Sequence, residues 1–229
     1  MYYTVGMSFE NKMPADYYQL NMINEFNEAN GEKVDYDSNI YLRNVPKLYK
    51  LTLNHIEMIE YFVRLIKPKR FIELGVQFGE ATKKIIPHVH ETYYAVDLLR
   101  QSNIDYFEKT YPNFKFHTMT TDDFFKDLKE KGVNLQLEMA FIDACHTHEA
   151  TYRDFLNVKE HLVNDGIIFM HDMYPKDLAS SDPGLSGDCY KTAEKIRLEH
   201  NHEFEIITIP VEPGLSILRK VDRQLNWLP

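Results

Sequence analysis

From Leu53 onward, short apolar runs of strand length alternate with segments of helical period, and this alternation restricts the fold more than any other feature. Leu53, Ile56, Ile59, Val63 and Ile66 recur at helical spacing until Pro68 stops the run. Strands are expected over 71–74, 93–96, 114–118, 139–142 and 167–170, with helices over 80–86, 104–111, 122–131, 147–163 and 190–200. In the helix over 147–163, Tyr152, Phe155 and Leu162 fall on one face. The segments 204–209 and 215–220 bracket Glu212-Pro213-Gly214, a hairpin signal. Such an order predicts an α/β fold. It is a Rossmann-like, doubly wound, seven-stranded sheet, mostly parallel, with a C-terminal antiparallel hairpin and helices on both faces. In such sheets a ligand sits beyond the carboxyl ends of the strands. Four of the expected strands end there in a residue able to do chemistry: Glu73, Asp97, Asp143 and the pair His171-Asp172.

The rest of the composition narrows the partners. The chain of 229 residues carries 26 Lys and Arg against 35 Asp and Glu, a formal net charge of -9. An acidic chain with no Lys/Arg run has no field to attract nucleic acid. Two cysteines, Cys145 and Cys189, make no disulfide framework and fit a reducing compartment, so the expected location is cytoplasmic. No apolar run reaches the roughly 18 residues of a membrane span. The start of the chain lacks a basic region followed by an apolar stretch, so no secretory signal is visible. Residues 1–50 are polar and rich in Tyr and Asn without sustained period; they are expected to form a cap for substrate or oligomerisation ahead of a single domain over 51–229.

The turn after the first strand, Glu73-Leu74-Gly75-Val76-Gln77-Phe78-Gly79, has GxxxG spacing, with Gln77 where a dinucleotide-binding GxGxxG would carry its middle glycine. A carboxylate two positions before Gly75 repels a pyrophosphate and suits an ammonium group. Asp97 ends the next strand at a distance that suits hydrogen bonds to ribose hydroxyls. Thr121 and Asp122 follow the third strand, where they suit either an adenine contact or a helix N-cap.

These residues carry a resemblance. The run Phe71–Thr82 resembles motif I of class I S-adenosylmethionine-dependent methyltransferases, in the ELGxxxG form of the small O-methyltransferases of the catechol type. Phe141-Ile-Asp-Ala-Cys-His-Thr-His-Glu149, with Arg153-Asp154, is similar to the IDxxHxxE…D stretch of a bacterial methyltransferase family. Met170-His171-Asp172 and Pro213-Gly214-Leu215 resemble its later strand end and hairpin. The resemblance spans about 53–221. It implies that Glu73, Gly75, Gln77 and Gly79 hold the methionyl part of S-adenosylmethionine, that Asp97 binds the ribose, and that Thr121 and Asp122 flank the adenine.

Asp143, His146, His148, His171 and Asp172 form the richest polar set. Two carboxylates and an imidazole at one rim can hold a divalent cation. The resemblance implies Asp143, His171 and Asp172 as ligands of a Mg²⁺ or Mn²⁺ ion, with His171 departing from the Asp of metal-dependent relatives. It puts His146, three residues after Asp143, in the place of a general base, ahead of His148; an imidazole titrates near neutrality and can take a hydroxyl proton. Asp143 and His146 are thus the catalytic candidates. The His146/His148 pair also raises a metallohydrolase, and Cys145 beside His146 a thiol nucleophile; both rank below methyl transfer. The expected function is O-methylation of a small polar acceptor such as a sugar or nucleotide-sugar, in a glycan or natural-product pathway. An NAD-type oxidoreductase and a non-catalytic protein on a degenerate methyltransferase fold are the alternatives. The Ser/Gly/Pro-rich loop over 173–188 is the expected lid, and Tyr2, Tyr3, Tyr17, Tyr18, Tyr36 and Tyr41 candidate pocket residues. A homodimer is compatible with the unassigned N-terminal segment.

Overall fold

A computed structural model of the protein describes residues 54–182, 184–211 and 213–221. The expected cap over 1–50 and its six tyrosines lie outside the described residues. The elements run α1 (His55–Ile66), β1 (Arg70–Leu74), α2 (Glu80–Ile85), β2 (Thr92–Asp97), α3 (Ile104–Thr110), β3 (Phe114–Thr118), α4 (Thr121–Glu130), β4 (Leu137–Ile142), α5 (His148–His161), β5 (Leu162–His171), α6 (Tyr190–Glu199), β6 (Phe204–Ile209) and β7 (Leu215–Lys220). Short 3-10 turns follow α2 and sit at Ala179–Ser181. The seven strands form one sheet in the order β3-β2-β1-β4-β5-β7-β6. β1 to β5 pair in parallel, and β7 runs antiparallel to both β5 and β6. The predicted doubly wound sheet with its terminal hairpin is therefore present. No helix among the described residues is long and apolar enough to cross a membrane.

The two-residue period of the strands separates two cores. Ile72, Leu74, Val96, Ala140, Ile142, Ile168 and Met170 face one side, where Phe124 and Phe125 of α4, Phe155 and Val158 of α5 and Ile196 of α6 cover them. Phe71, Tyr93, Ala95, Met139, Phe141 and Phe169 face the other side, under Ile59 and Val63 of α1, Ile85 of α2 and Phe107 of α3. Both faces are covered, which is why the central strands read as nearly continuous apolar runs. α1 begins with a capping box: the Asn54 side chain accepts from the Glu57 N–H at 2.9 Å, and the Glu57 carboxylate accepts from the Asn54 N–H at 3.1 Å.

One boundary differs from expectation. α5 ends at His161, and Leu162 already belongs to β5, paired with Leu137. Leu162 therefore shares no helix face with Phe155; Val158 takes that buried place. The backbone turns extended at Leu162 (φ -85, ψ 131), and Asp165 then adopts φ 62 in an irregular first half of the strand, so β5 starts five residues before the apolar run at 167. Periodicity alone sees only the regular half.

Candidate active site

The strand order reverses direction between β1 and β4, the place where open α/β sheets bind ligands beyond their strand ends. A cavity of about 1080 Å³ opens there. Its lining takes residues from the ends of β1 (Glu73, Gly75), β2 (Asp97), β4 (Asp143) and β5 (His171, Asp172). That volume lies at the upper end of the roughly 300–1,000 Å³ usual for small-molecule sites, room for a donor and an acceptor side by side.

The glycine turn is built by close approach. A Cβ on Gly75 (φ +84) would fall 2.1 Å from the Asp143 carbonyl oxygen, so only glycine lets β1 run on beside the end of β4. Asp97 fastens the same turn: the Val76 and Gln77 N–H groups both donate to its Oδ2 at 2.8 Å. Among the described residues its Oδ1 accepts from the Leu99 N–H alone, at 2.8 Å, which leaves a lone pair on that oxygen. Gln77 stands in the left-handed region (φ 48) and lines the cavity. Gly79 is the N-cap of α2.

Glu73 is 1% exposed and sits on the α1–α3 side of β1. The hydroxyls of Thr82 and Tyr93 both donate to its Oε2 at 2.5 Å. Burial pushes its carboxyl up to about 8, against the pull of those two hydroxyls. Such a group gains from a cation placed beside its free oxygen.

At the rim, Asp143, His146, His171 and Asp172 converge. His171 Nδ1 lies 3.0 Å from Asp143 Oδ1 and 3.4 Å from Asp172 Oδ2. His146 Nε2 approaches the same two oxygens, at 3.8 and 3.3 Å, while its Nδ1 meets the Leu185 carbonyl. Asp172 is 3% exposed and holds φ 61, a left-handed conformation that Asp tolerates better than most residues. Burial alone would raise Asp143, but hydrogen bonds from His146 and His171 hold it down to about 2. Asp143, with Asp172, lifts His146 to about 9. Burial alone would lower His171, yet its bonds to the two carboxylates carry it up to about 10.

Sequence reasoning missed two contributors. His55, the first residue of α1, stacks on His171 with ring centroids 3.9 Å apart, and burial, then the charge of His171, pushes it down to about 4. Which rim that helix end overhangs is not local information. The second is the Leu185 carbonyl, a backbone group with no sequence signature. Gly187 (φ +58) lets the loop come this near: a Cβ there would fall 1.6 Å from the His146 carbonyl oxygen.

Other candidates stand apart. Thr121 opens α4, and its hydroxyl bonds the buried Asp154 carboxylate. Asp122 pairs with Arg153 at 3.4 Å, and the N-cap is Thr120, which accepts from the Asp123 N–H at 2.9 Å. Neither Thr121 nor Asp122 lines the cavity. His148 is tied to α6 and the loop before it: its Nδ1 lies 2.9 Å from Thr192 Oγ1, and its N–H donates to Asp188 Oδ1 at 2.6 Å. Cys145 Sγ lies 3.6 Å from Thr147 Oγ1, turned to a hydroxyl rather than an imidazole.

The donor atoms decide how a cation fits. Among the described residues, Asp143, His146 and Asp172 can each offer one ligand atom, all within 4.8 Å of one another. His171, the third ligand that the resemblance implies, is not in that group. Its Nδ1 faces the carboxylates, and its Nε2 is buried with no hydrogen-bond partner among the described residues. A metal-bound imidazole almost always donates its other N–H to a carboxylate, carbonyl or water, and Nε2 has none. The oxygens that His146 Nε2 approaches are the ones already facing His171. This arrangement does not fit a divalent cation held by Asp143, His171 and Asp172.

The sheet order and the cavity at its switch point are those of a Rossmann-like α/β fold that takes a ligand at its strand ends. Residues 72–173 match the family model of a methyltransferase domain. Three solved structures share the fold. The O-methyltransferase TomG from Streptomyces achromogenes, involved in tomaymycin synthesis and solved with S-adenosylmethionine, superposes with a TM-score of 0.61 at 13% identity, covering 91% of this chain and 100% of that one. An O-methyltransferase from Bacillus cereus, in complex with S-adenosylhomocysteine, gives 0.59 at 13% identity, with 92% and 94% covered. An S-adenosylhomocysteine-bound methyltransferase from Podospora anserina gives 0.58 at 15%, with 93% and 100% covered. No curated protein sequence matches the chain.

Proposed function

We propose that this methyltransferase acts on a hydroxyl of a small polar acceptor, of the sugar or nucleotide-sugar kind, with His146 as the general base. The observation that carries this reading is the fixing of His146 at both ring nitrogens, Nδ1 on the Leu185 carbonyl and Nε2 toward Asp143 and Asp172. A base so held presents a defined basic nitrogen at the cavity, as hydroxyl deprotonation requires. Asp143 and Asp172 stabilise the imidazolium formed when His146 takes the proton. The polar lining around them, with Ser180 and Ser186 from the loop, suits an acceptor with several hydroxyls.

S-adenosylmethionine supplies an electrophilic sulfonium methyl for in-line displacement. Glu73 and the Gly75–Gly79 turn are proposed to hold its methionyl part, Glu73 through the oxygen that Thr82 and Tyr93 leave open. Asp97 Oδ1 takes a ribose hydroxyl while Oδ2 keeps the turn in shape. For Thr121 and Asp122 the adenine role has no geometric support. Holding acceptor and methyl in line accounts for most of the acceleration such a site needs.

The test has two parts. Calorimetry with S-adenosylhomocysteine should show one saturable site per chain. Turnover to S-adenosylhomocysteine, measured over matched acceptors bearing hydroxyl, amine or thiol groups, should appear with the hydroxyl compounds. Turnover confined to amines would refute the O-directed reading.

A further inference from the structure

We infer that His171 stands in the place of a divalent cation: its Nδ1–H bridges Asp143 and Asp172, and the enzyme binds no metal there. The inference deepens the proposed methyl transfer and rests on it. Two carboxylates meeting at a buried rim need a positive or hydrogen-bond-donating group between them. Here that group is part of the chain. His171 Nδ1 reaches Asp143 Oδ1 at 3.0 Å and Asp172 Oδ2 at 3.4 Å.

The proton's position follows from the ring's surroundings. Among the described residues His171 Nε2 is buried without a partner, on a ring stacked against His55 at 3.9 Å between centroids. A proton on Nε2 alone would have no acceptor, and would leave Nδ1 as a bare lone pair facing two carboxylates. A proton on Nδ1 satisfies both carboxylates at once. The nitrogen that would have to ligate a metal is therefore the one that donates. In the remaining group of Asp143, His146 and Asp172, the oxygens that His146 Nε2 approaches are the ones this N–H faces. His55 serves as a positioning residue: its ring holds the plane of His171 so that one N–H spans both carboxylates.

The chemistry predicts what removing the imidazole does. His171→Asp replaces a donor by a third carboxylate, and an oxygen-rich set favours a hard divalent ion. Protein stripped with EDTA would be titrated with MnCl₂ and followed by the paramagnetic resonance signal of free Mn²⁺. His171→Asp should bind one Mn²⁺ per chain, and the wild type should show no saturable site at about ten times the variant's dissociation constant. Wild-type protein taking up one Mn²⁺ as tightly as the variant overturns the inference.

If His171→Asp does not fold, nitrogen-15 spectra of histidine-labelled wild type decide instead. The His171 Nδ1–H should persist when MgCl₂ is added, and its loss on addition of Mg²⁺ would overturn the proposal. S-adenosylhomocysteine calorimetry on the same preparations reads the methyltransferase assignment separately, so failure of one is not failure of the other.

Discussion

His146 divides its two ring nitrogens between the loop and the carboxylates, and that division makes its titration informative. Asp143 and Asp172 favour the imidazolium, so the base form is scarce at neutrality and grows as pH rises through about 9. With an accepted hydroxyl substrate, kcat should climb between pH 7 and 9 and then level; a profile flat across that range would remove His146 from the role. His146→Asn should lower kcat by about 10²–10⁴-fold while leaving S-adenosylhomocysteine affinity unchanged, by calorimetry. The residues at the strand ends were legible because parallel strands expose their carboxyl ends together, so Glu73, Asp97, Asp143, His171 and Asp172 could be placed on one rim from their positions alone. What each does was less legible. Asp97 spends one oxygen on backbone amides, and His171 donates where the resemblance implies a ligand. Both depend on distances across the sheet that no local pattern records.

At the level of elements, the helices and strands followed from periodicity, and the misplacements have physical reasons. Thr121 and Asp122 looked equally suited to adenine contact and helix capping. The structure uses Thr120 as the cap and spends Thr121 on Asp154, joining α4 to α5. Asp154 is 2% exposed, and burial raises its carboxyl from 3.8 to about 6 despite the Thr121 bond. The folded state therefore keeps this proton up to a higher pH than the unfolded chain does. The associated stability is fully present below about pH 4 and is lost as pH rises through about 6. Asp154→Asn, which keeps an acceptor for Thr121 and cannot ionise, should be more stable than wild type at pH 8 by about 1–3 kcal/mol. Urea unfolding should show that difference vanish near pH 4; an equal effect at both pH values would mean packing, not ionisation. The loop over 173–188 contributes residues to the cavity lining, and its clasp on His146 depends on Gly187. Gly187→Ala must displace the loop or the His146 backbone, so kcat should fall at least about tenfold as the base loses its fixed orientation. Binding of S-adenosylhomocysteine, proposed to rest on the β1 and β2 ends, should survive.

For the whole molecule, the sheet brings an acidic rim to the switch point of a chain whose net charge is -9. That setting suits a donor bearing ammonium and sulfonium charges and disfavours polyanions. It also couples cofactor binding to global stability, because the strand ends that line the cavity continue from the strands that fill both cores. A ligand that binds only the folded state at one hundred times its dissociation constant adds about 2.7 kcal/mol. For a chain of this size that corresponds to a rise in Tm of about 5–11 °C. S-adenosylhomocysteine at that excess should produce such a shift in the wild type. Asp97→Ala removes the proposed ribose acceptor and the two bonds that shape the Val76–Gln77 turn, so the shift should disappear even when the ligand-free variant still melts cooperatively. The comparison separates binding from folding: a full shift in Asp97→Ala would place the donor elsewhere on the rim. Loss of the shift, with a ligand-free Tm lowered by only a few degrees, would tie the end of β2 to the cofactor.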